Sequence, residues 1–167
     1  MKLSAKILGT MFLKLSVISA FLLWVTRVVD LESQSKYFDQ PNLIWYIFLH
    51  VGIMLCFWIL NSSFKDRSIY GLIAFSSLAT LGFDLGDFQI LHNITTAILF
   101  ILACISILLF EPIKKLAITS TSISSIFFLS GLFGWLGPSG IFLGEVIAEV
   151  ILSIMVLKEI WWNNRLK

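Results

Sequence analysis

The stretch ILHNITTAILFILACISILLF, residues Ile90 to Phe110, runs for 21 positions without a charged side chain. At a rise of about 1.5 Å per residue it spans about 31 Å as a helix, close to the thickness of a bilayer's hydrocarbon core. It lacks the strict alternation of a barrel strand, so a transmembrane helix is the expected form. Glu111-Pro112 stops it, and Lys114 and Lys115 mark the turn beyond.

Working outward from this run, the rest of the chain repeats the pattern. Expected spans lie at about 7–29, 42–60, 68–83, 90–110, 116–136 and 141–160. Pro41 suits the first turn of the second, and Gly137-Pro138-Ser139-Gly140 reads as a tight turn before the sixth. The 167 residues are 58% hydrophobic and 13% charged, with a mean hydropathy of +0.94, which leaves no polar surface for a soluble domain. The expected fold is all-α: one polytopic transmembrane bundle of about six helices across residues 1–167. The net charge of +2 gives no reason to expect a nucleic acid partner. Cys56 and Cys104 fall inside apolar runs with no metal-ligand spacing and read as packing residues. Lys2 and Lys6 before an apolar run resemble a secretory signal, but Lys14 interrupts the run, and a retained first helix is expected.

Basic residues set the orientation. With both termini cytoplasmic, the inner segments hold Lys2, Lys6, Lys65, Arg67, Lys114, Lys115, Lys158, Arg165 and Lys167, nine against the two outside, Arg27 and Lys36. Lys14 is left over, near enough to the inner surface to snorkel. Trp24, Trp45 and Trp135 then fall near the outer interface, and Trp58, Tyr70, Trp161 and Trp162 near the inner one. In a bacterium the location implied is the inner (plasma) membrane.

Ionisable groups within the spans are the candidate site. His50 lies about eight residues into the second span from outside and Glu149 about nine into the sixth, so both reach about 12–14 Å of depth. Glu145 lies one turn from Glu149, and Ser153 continues that face. His92 opens the fourth span, with Asp84 and Asp87 in the loop before it. A charge at such depth costs about 2.5–3.5 kcal/mol on insertion scales, so function is the default expectation there. The plainer reading of each is a hydrogen bond tying helices together; for Asp84 and Asp87 it is loop solvation and helix capping. Gly140, Gly144 and Ala148 form a small-residue stripe, expected to pack inside the molecule rather than at a dimer interface. The hydroxyls from Thr119 to Ser125 are expected to bond carbonyls one turn back.

No catalytic, nucleotide or zinc-protease motif is present. Two histidines with carboxylates are the most that zinc could find, and the same pair could ligate haem b; neither metal nor cofactor is predicted, and both remain low alternatives.

Gly82-Phe83-Asp84 through Phe88-Gln89-Ile90-Leu91-His92, running into Ala97-Ile98-Leu99-Phe100, resembles the membrane segment of the DRAM/Sfk-type six-span family. Glu145 or Glu149 in an apolar final span resembles that family's last helix, and a related bacterial six-span family of unknown function shares the outline. The resemblance implies a lipid-related role and a membrane lipid as partner, with His92 and Glu149 (or Glu145) the positions carried over. The expected function is an outer-half polar cavity that binds or handles lipid. The alternatives are an intramembrane metal- or haem-dependent enzyme, a proton-coupled small-solute transporter, and a non-catalytic membrane subunit in a homo-oligomer or larger complex.

Overall fold

The computed structural model describes residues 3–26, 43–63, 68–86, 88–111, 113–136 and 138–161. Six helices follow in order: α1 (Leu3–Thr26), α2 (Leu43–Ser63), α3 (Ser68–Leu85), α4 (Gln89–Phe110), α5 (Lys114–Leu132) and α6 (Pro138–Trp161). The fold is all-α. Five helices, α1 to α5, are long and apolar enough to cross a membrane. Arg27, Lys36, Pro41, Lys65, Arg67, Asp87, Gly137 and Trp162 lie outside the described residues, as does the Trp24 side chain.

The helix ends have local causes. α4 stops at Phe110 because Glu111, the residue before Pro112, takes an extended conformation with ψ 121°. The fifth helix ends at Leu132, four residues short of the expected 136. Gly134 adopts φ 77°, and the Trp135 and Leu136 amides fold back to the Ser130 carbonyl. α6 starts earlier than expected because Pro138 opens its first turn, where a missing N–H costs nothing. α3 continues through Asp84 to Leu85, so Asp84 belongs to a helix and not to the loop after it.

α1 packs on α2, α2 on α3 and α3 on α4; α1 and α4 both pack on α6, which closes a ring of five helices. α5 lies outside that ring, against α6 and, less extensively, α4. One end of the bundle holds the turn at 86–88 and the other the turn at 111–113. The first and last helices meet at the 111–113 end, where the Trp161 indole N–H donates to the Thr10 hydroxyl at 3.0 Å and Lys6 Nζ lies 5.8 Å from the Trp161 ring. Lys14 is one helical turn further along α1, about 6 Å.

Two glycine contacts draw helices together. A Cβ on Gly52 would stand 2.8 Å from the Phe12 carbonyl oxygen of α1. A Cβ on Gly144 would stand 2.8 Å from the Phe128 backbone of α5, and one on Gly140 would stand 2.7 Å from the Gly131 nitrogen. The Gly140–Gly144 stripe is thus spent on α5, inside the molecule, and the Ser124 hydroxyl donates to the Gly144 carbonyl at 2.6 Å. Ser120 and Thr121 donate to the Ala117 carbonyl one turn back.

Side chains are sorted opposite to a water-soluble protein. Ser19, Ser77, Ser106 and Ser124 are buried, while Phe75, Ile90 and Ile126 face outward at 69%, 76% and 63% exposure. An outer surface this apolar suits hydrocarbon surroundings. Trp58, Trp161 and Trp135 are exposed near the bundle ends. Tyr70 is fully buried, its ring packed on Phe57 and Phe110.

Candidate functional site

The ring of five helices encloses a cavity of about 100 Å³. α2 supplies Tyr46 and His50, one turn apart; α3 supplies Thr80, α4 Thr96, and α6 Glu145 and Glu149. Three of the residues singled out in the sequence, His50, Glu145 and Glu149, therefore line one space.

His50 is held on two sides. The Tyr46 ring meets its ring at 4.7 Å in an edge arrangement. The Ser77 hydroxyl donates to the His50 carbonyl at 3.0 Å and also lies 3.0 Å from His50 Nδ1. A hydroxyl has one proton to give, and it goes to the carbonyl, so Nδ1 is the donor in the second bond. The neutral imidazole then carries its proton on Nδ1 and leaves Nε2 as an acceptor.

His92 stands one layer behind the cavity wall, 1% exposed. Its Nδ1 lies 3.5 Å from Asp84 Oδ1 and 3.4 Å from the Thr80 carbonyl oxygen. Its Nε2 lies 3.4 Å from the Thr96 hydroxyl. These separations are long for N–H···O bonds and close with a shift of a few tenths of an ångström. Asp84 turns inward, against the expectation of loop solvation; its side chain is 11% exposed. Tyr46 interacts electrostatically with both Asp84 and Glu145. Asp87 lies outside the described residues. Among the described residues no three His, Cys, Asp or Glu side chains come together to hold a metal ion.

A second, larger space of about 570 Å³ lies between α1 and α6. Val17 and Phe21 of α1 and Val146, Val150 and Ile154 of α6 form its walls. Leu13, Glu149 and Ser153 line this groove and the interior cavity alike. Glu149 thus stands where the apolar groove meets the interior cavity that His50, Thr80 and Glu145 also line.

The sequence reading missed a second polar cluster near the 111–113 end. The Tyr70 hydroxyl donates to Glu159 Oε2 at 2.9 Å, and Lys158 Nζ contacts Glu111 Oε1 and Oε2 at 3.0 and 3.2 Å. Glu111 and Glu159 are 1% and 2% exposed. Acids directly beside the ends of apolar runs were the available signal; their partners lie 47 and 89 residues away in sequence. Tyr70→Phe keeps the aromatic packing and removes one hydrogen bond to a carboxylate. It is expected to lower stability by about 1.5–3 kcal/mol, read as the thermal midpoint in detergent. A loss below about 0.5 kcal/mol would show that the hydroxyl contributes little to holding Glu159.

The five apolar helices and the inverted polarity define an integral membrane protein of helical type. No family model, curated protein or solved structure matches the chain.

Proposed function

We infer that the protein binds a membrane lipid, with its chain in the α1–α6 groove and its polar group at Glu149. One observation carries this reading: Glu149 and Ser153 line both the apolar groove and the interior cavity that holds His50 and Glu145. A groove in the side of a spanning bundle is surrounded by hydrocarbon, and an acyl or isoprenoid chain is the ligand at hand. The polar lining selects the other end of that ligand. The carboxyl of Glu149 and the acceptor Nε2 of His50 suit a head group bearing an O–H or N–H donor. The resemblance to the DRAM/Sfk-type six-span family points to the same lipid class.

The orientation belongs to this reading. With α6 as a sixth span, the basic residues place the 111–113 end and both termini on the cytoplasmic side. The cavity then opens from the outer half of the membrane, which in a bacterium is the inner membrane.

The test is native mass spectrometry of the protein released from its membrane in a nanodisc. The wild type is expected to carry a lipid mass. Ala20→Phe fills the groove, and Glu149→Gln removes the carboxylate; each is expected to reduce lipid retention by about tenfold or more, equivalent to about 1.4 kcal/mol. A bare wild-type mass, or wild-type retention in both variants, would overturn the reading.

A further inference from the structure

We propose that Asp84 admits protons to the interior cavity, by two branches that run through His92 and Tyr46. The proposal concerns proton access and holds whatever ligand the cavity takes.

The geometry is that of a relay. Asp84 lies in the last turn of α3, two residues before the turn at 86–88, and its carboxyl retains 11% exposure. Next to it, His92 offers one ring nitrogen to each side: Nδ1 to Asp84 Oδ1 at 3.5 Å, and Nε2 to the Thr96 hydroxyl at 3.4 Å. Thr96 in turn lines the cavity with Glu145, Glu149 and His50. A histidine bonded differently through its two nitrogens can accept on one and release from the other. At rest His92 carries its proton on Nδ1, which faces the Thr80 carbonyl oxygen. Exchange to the Nε2 tautomer frees Nδ1; a proton passes to it from the Asp84 carboxyl, and the Nε2 proton leaves to the Thr96 oxygen. The Thr96 hydroxyl proton then passes to a cavity carboxylate. The imidazole ends neutral, back in the resting tautomer with its proton on Nδ1.

The second branch is shorter. Tyr46 interacts with both Asp84 and Glu145 and lines the cavity itself. Its hydroxyl can take a proton from the Asp84 carboxyl while giving its own toward Glu145. The titratable groups facing Asp84 and the cavity are Tyr46 and His50 from α2, His92 from α4, and Glu145 and Glu149 from α6. From α1, Lys14 shares the groove with Glu149. The buried acids of the opposite end are engaged with Tyr70 and Lys158. The core of Phe57, Ile73, Leu152, Met155 and Val156 forms an apolar layer among the same helices. That layer favours access from the 86–88 end.

The test follows protonation, and so it fails separately from the lipid reading. The full protein in nanodiscs is subjected to a rapid drop in pH, and the infrared carbonyl band of protonated carboxyls is followed in time. Glu149→Gln and Glu145→Gln assign the interior bands. Asp84→Asn is expected to slow their appearance by more than about tenfold, below the 10²–10⁴-fold weight of positioned acid–base groups. The pair Tyr46→Phe and His92→Phe should slow it as much, and either alone less. Uptake at the wild-type rate in Asp84→Asn would overturn the proposal, as would a wild type with no titrating interior band between about pH 4 and 9. Should Asp84→Asn fail to fold, the isosteric pair Tyr46→Phe and Thr96→Val decides the matter: slowed uptake supports the relay, and an unchanged rate overturns it.

Discussion

Replacing Lys158 with methionine is expected to lower stability by about 3–5 kcal/mol, whereas Glu111→Gln is expected to cost about 1 kcal/mol. The asymmetry follows from burial. The Glu111 side chain is 1% exposed and that of Lys158 is 36% exposed. Removing the lysine leaves a carboxylate that cannot reach water, with the Ile113 amide at 3.3 Å as its remaining donor. Removing the carboxylate leaves an ammonium that can swing outward, and a glutamine oxygen still accepts from that amide. The double variant should therefore recover most of the loss seen in Lys158→Met. Thermal unfolding of the four proteins in one detergent measures this. Equal losses in the two single variants would mean that Glu111 reaches water despite its burial.

Gly144→Leu is expected to be comparably severe, at about 3 kcal/mol or more. Even the first added carbon would stand 2.8 Å from the Phe128 backbone, a contact that can be relieved only by moving α5 away from α6. That movement also breaks the Ser124 bond to the Gly144 carbonyl, 2.6 Å long. Gly82 is the control. It too sits in a helix, but a Cβ there meets nothing within 4 Å. Gly82→Ala should stabilise α3 by about 0.5–1 kcal/mol through helix propensity. Unfolding midpoints check both; a Gly144→Leu protein as stable as the wild type would show that the α5–α6 contact is not tight.

The contrast between these glycines shows where sequence reasoning reaches its end. Apolar run length marked all six helices, because the thickness of the hydrocarbon core is known beforehand, and α1 to α5 are long and apolar enough to cross it. The small-residue stripe on α6 was readable as internal packing, but its partner α5 was not, because nothing in Gly140 or Gly144 names the facing helix. Depth counting set His50 and Glu149 at one level, since rise per residue needs no tertiary knowledge. Whether residues at one depth face each other depends on helix rotation, which sequence leaves open. His92 shows the difference: it stands behind Thr80 and Thr96 rather than on the cavity wall. Tyr70 was placed near the inner interface from its position near a span end, but its partner Glu159, 89 residues away in sequence, was not legible. Glu111 looked like a helix stop and Lys158 like an orientation marker, and both descriptions concealed an ion pair.

The order of the helices around the ring bears on how the protein is made. α1 and α6 form the two walls of the groove, and they are the first and the sixth helices in chain order. During synthesis the earlier helices can associate in sequence, each on its predecessor, but the groove has one wall until α6 arrives. Glu145 and Glu149 arrive with it, and α6 is synthesised directly after α5, the helix it packs on through Gly140 and Gly144. That hairpin shields part of α6 from lipid while the ring closes. A ribosome that stalls before α6 leaves a product that lacks the groove's second wall and both Glu145 and Glu149. The groove is thus complete only once α6 has joined α1.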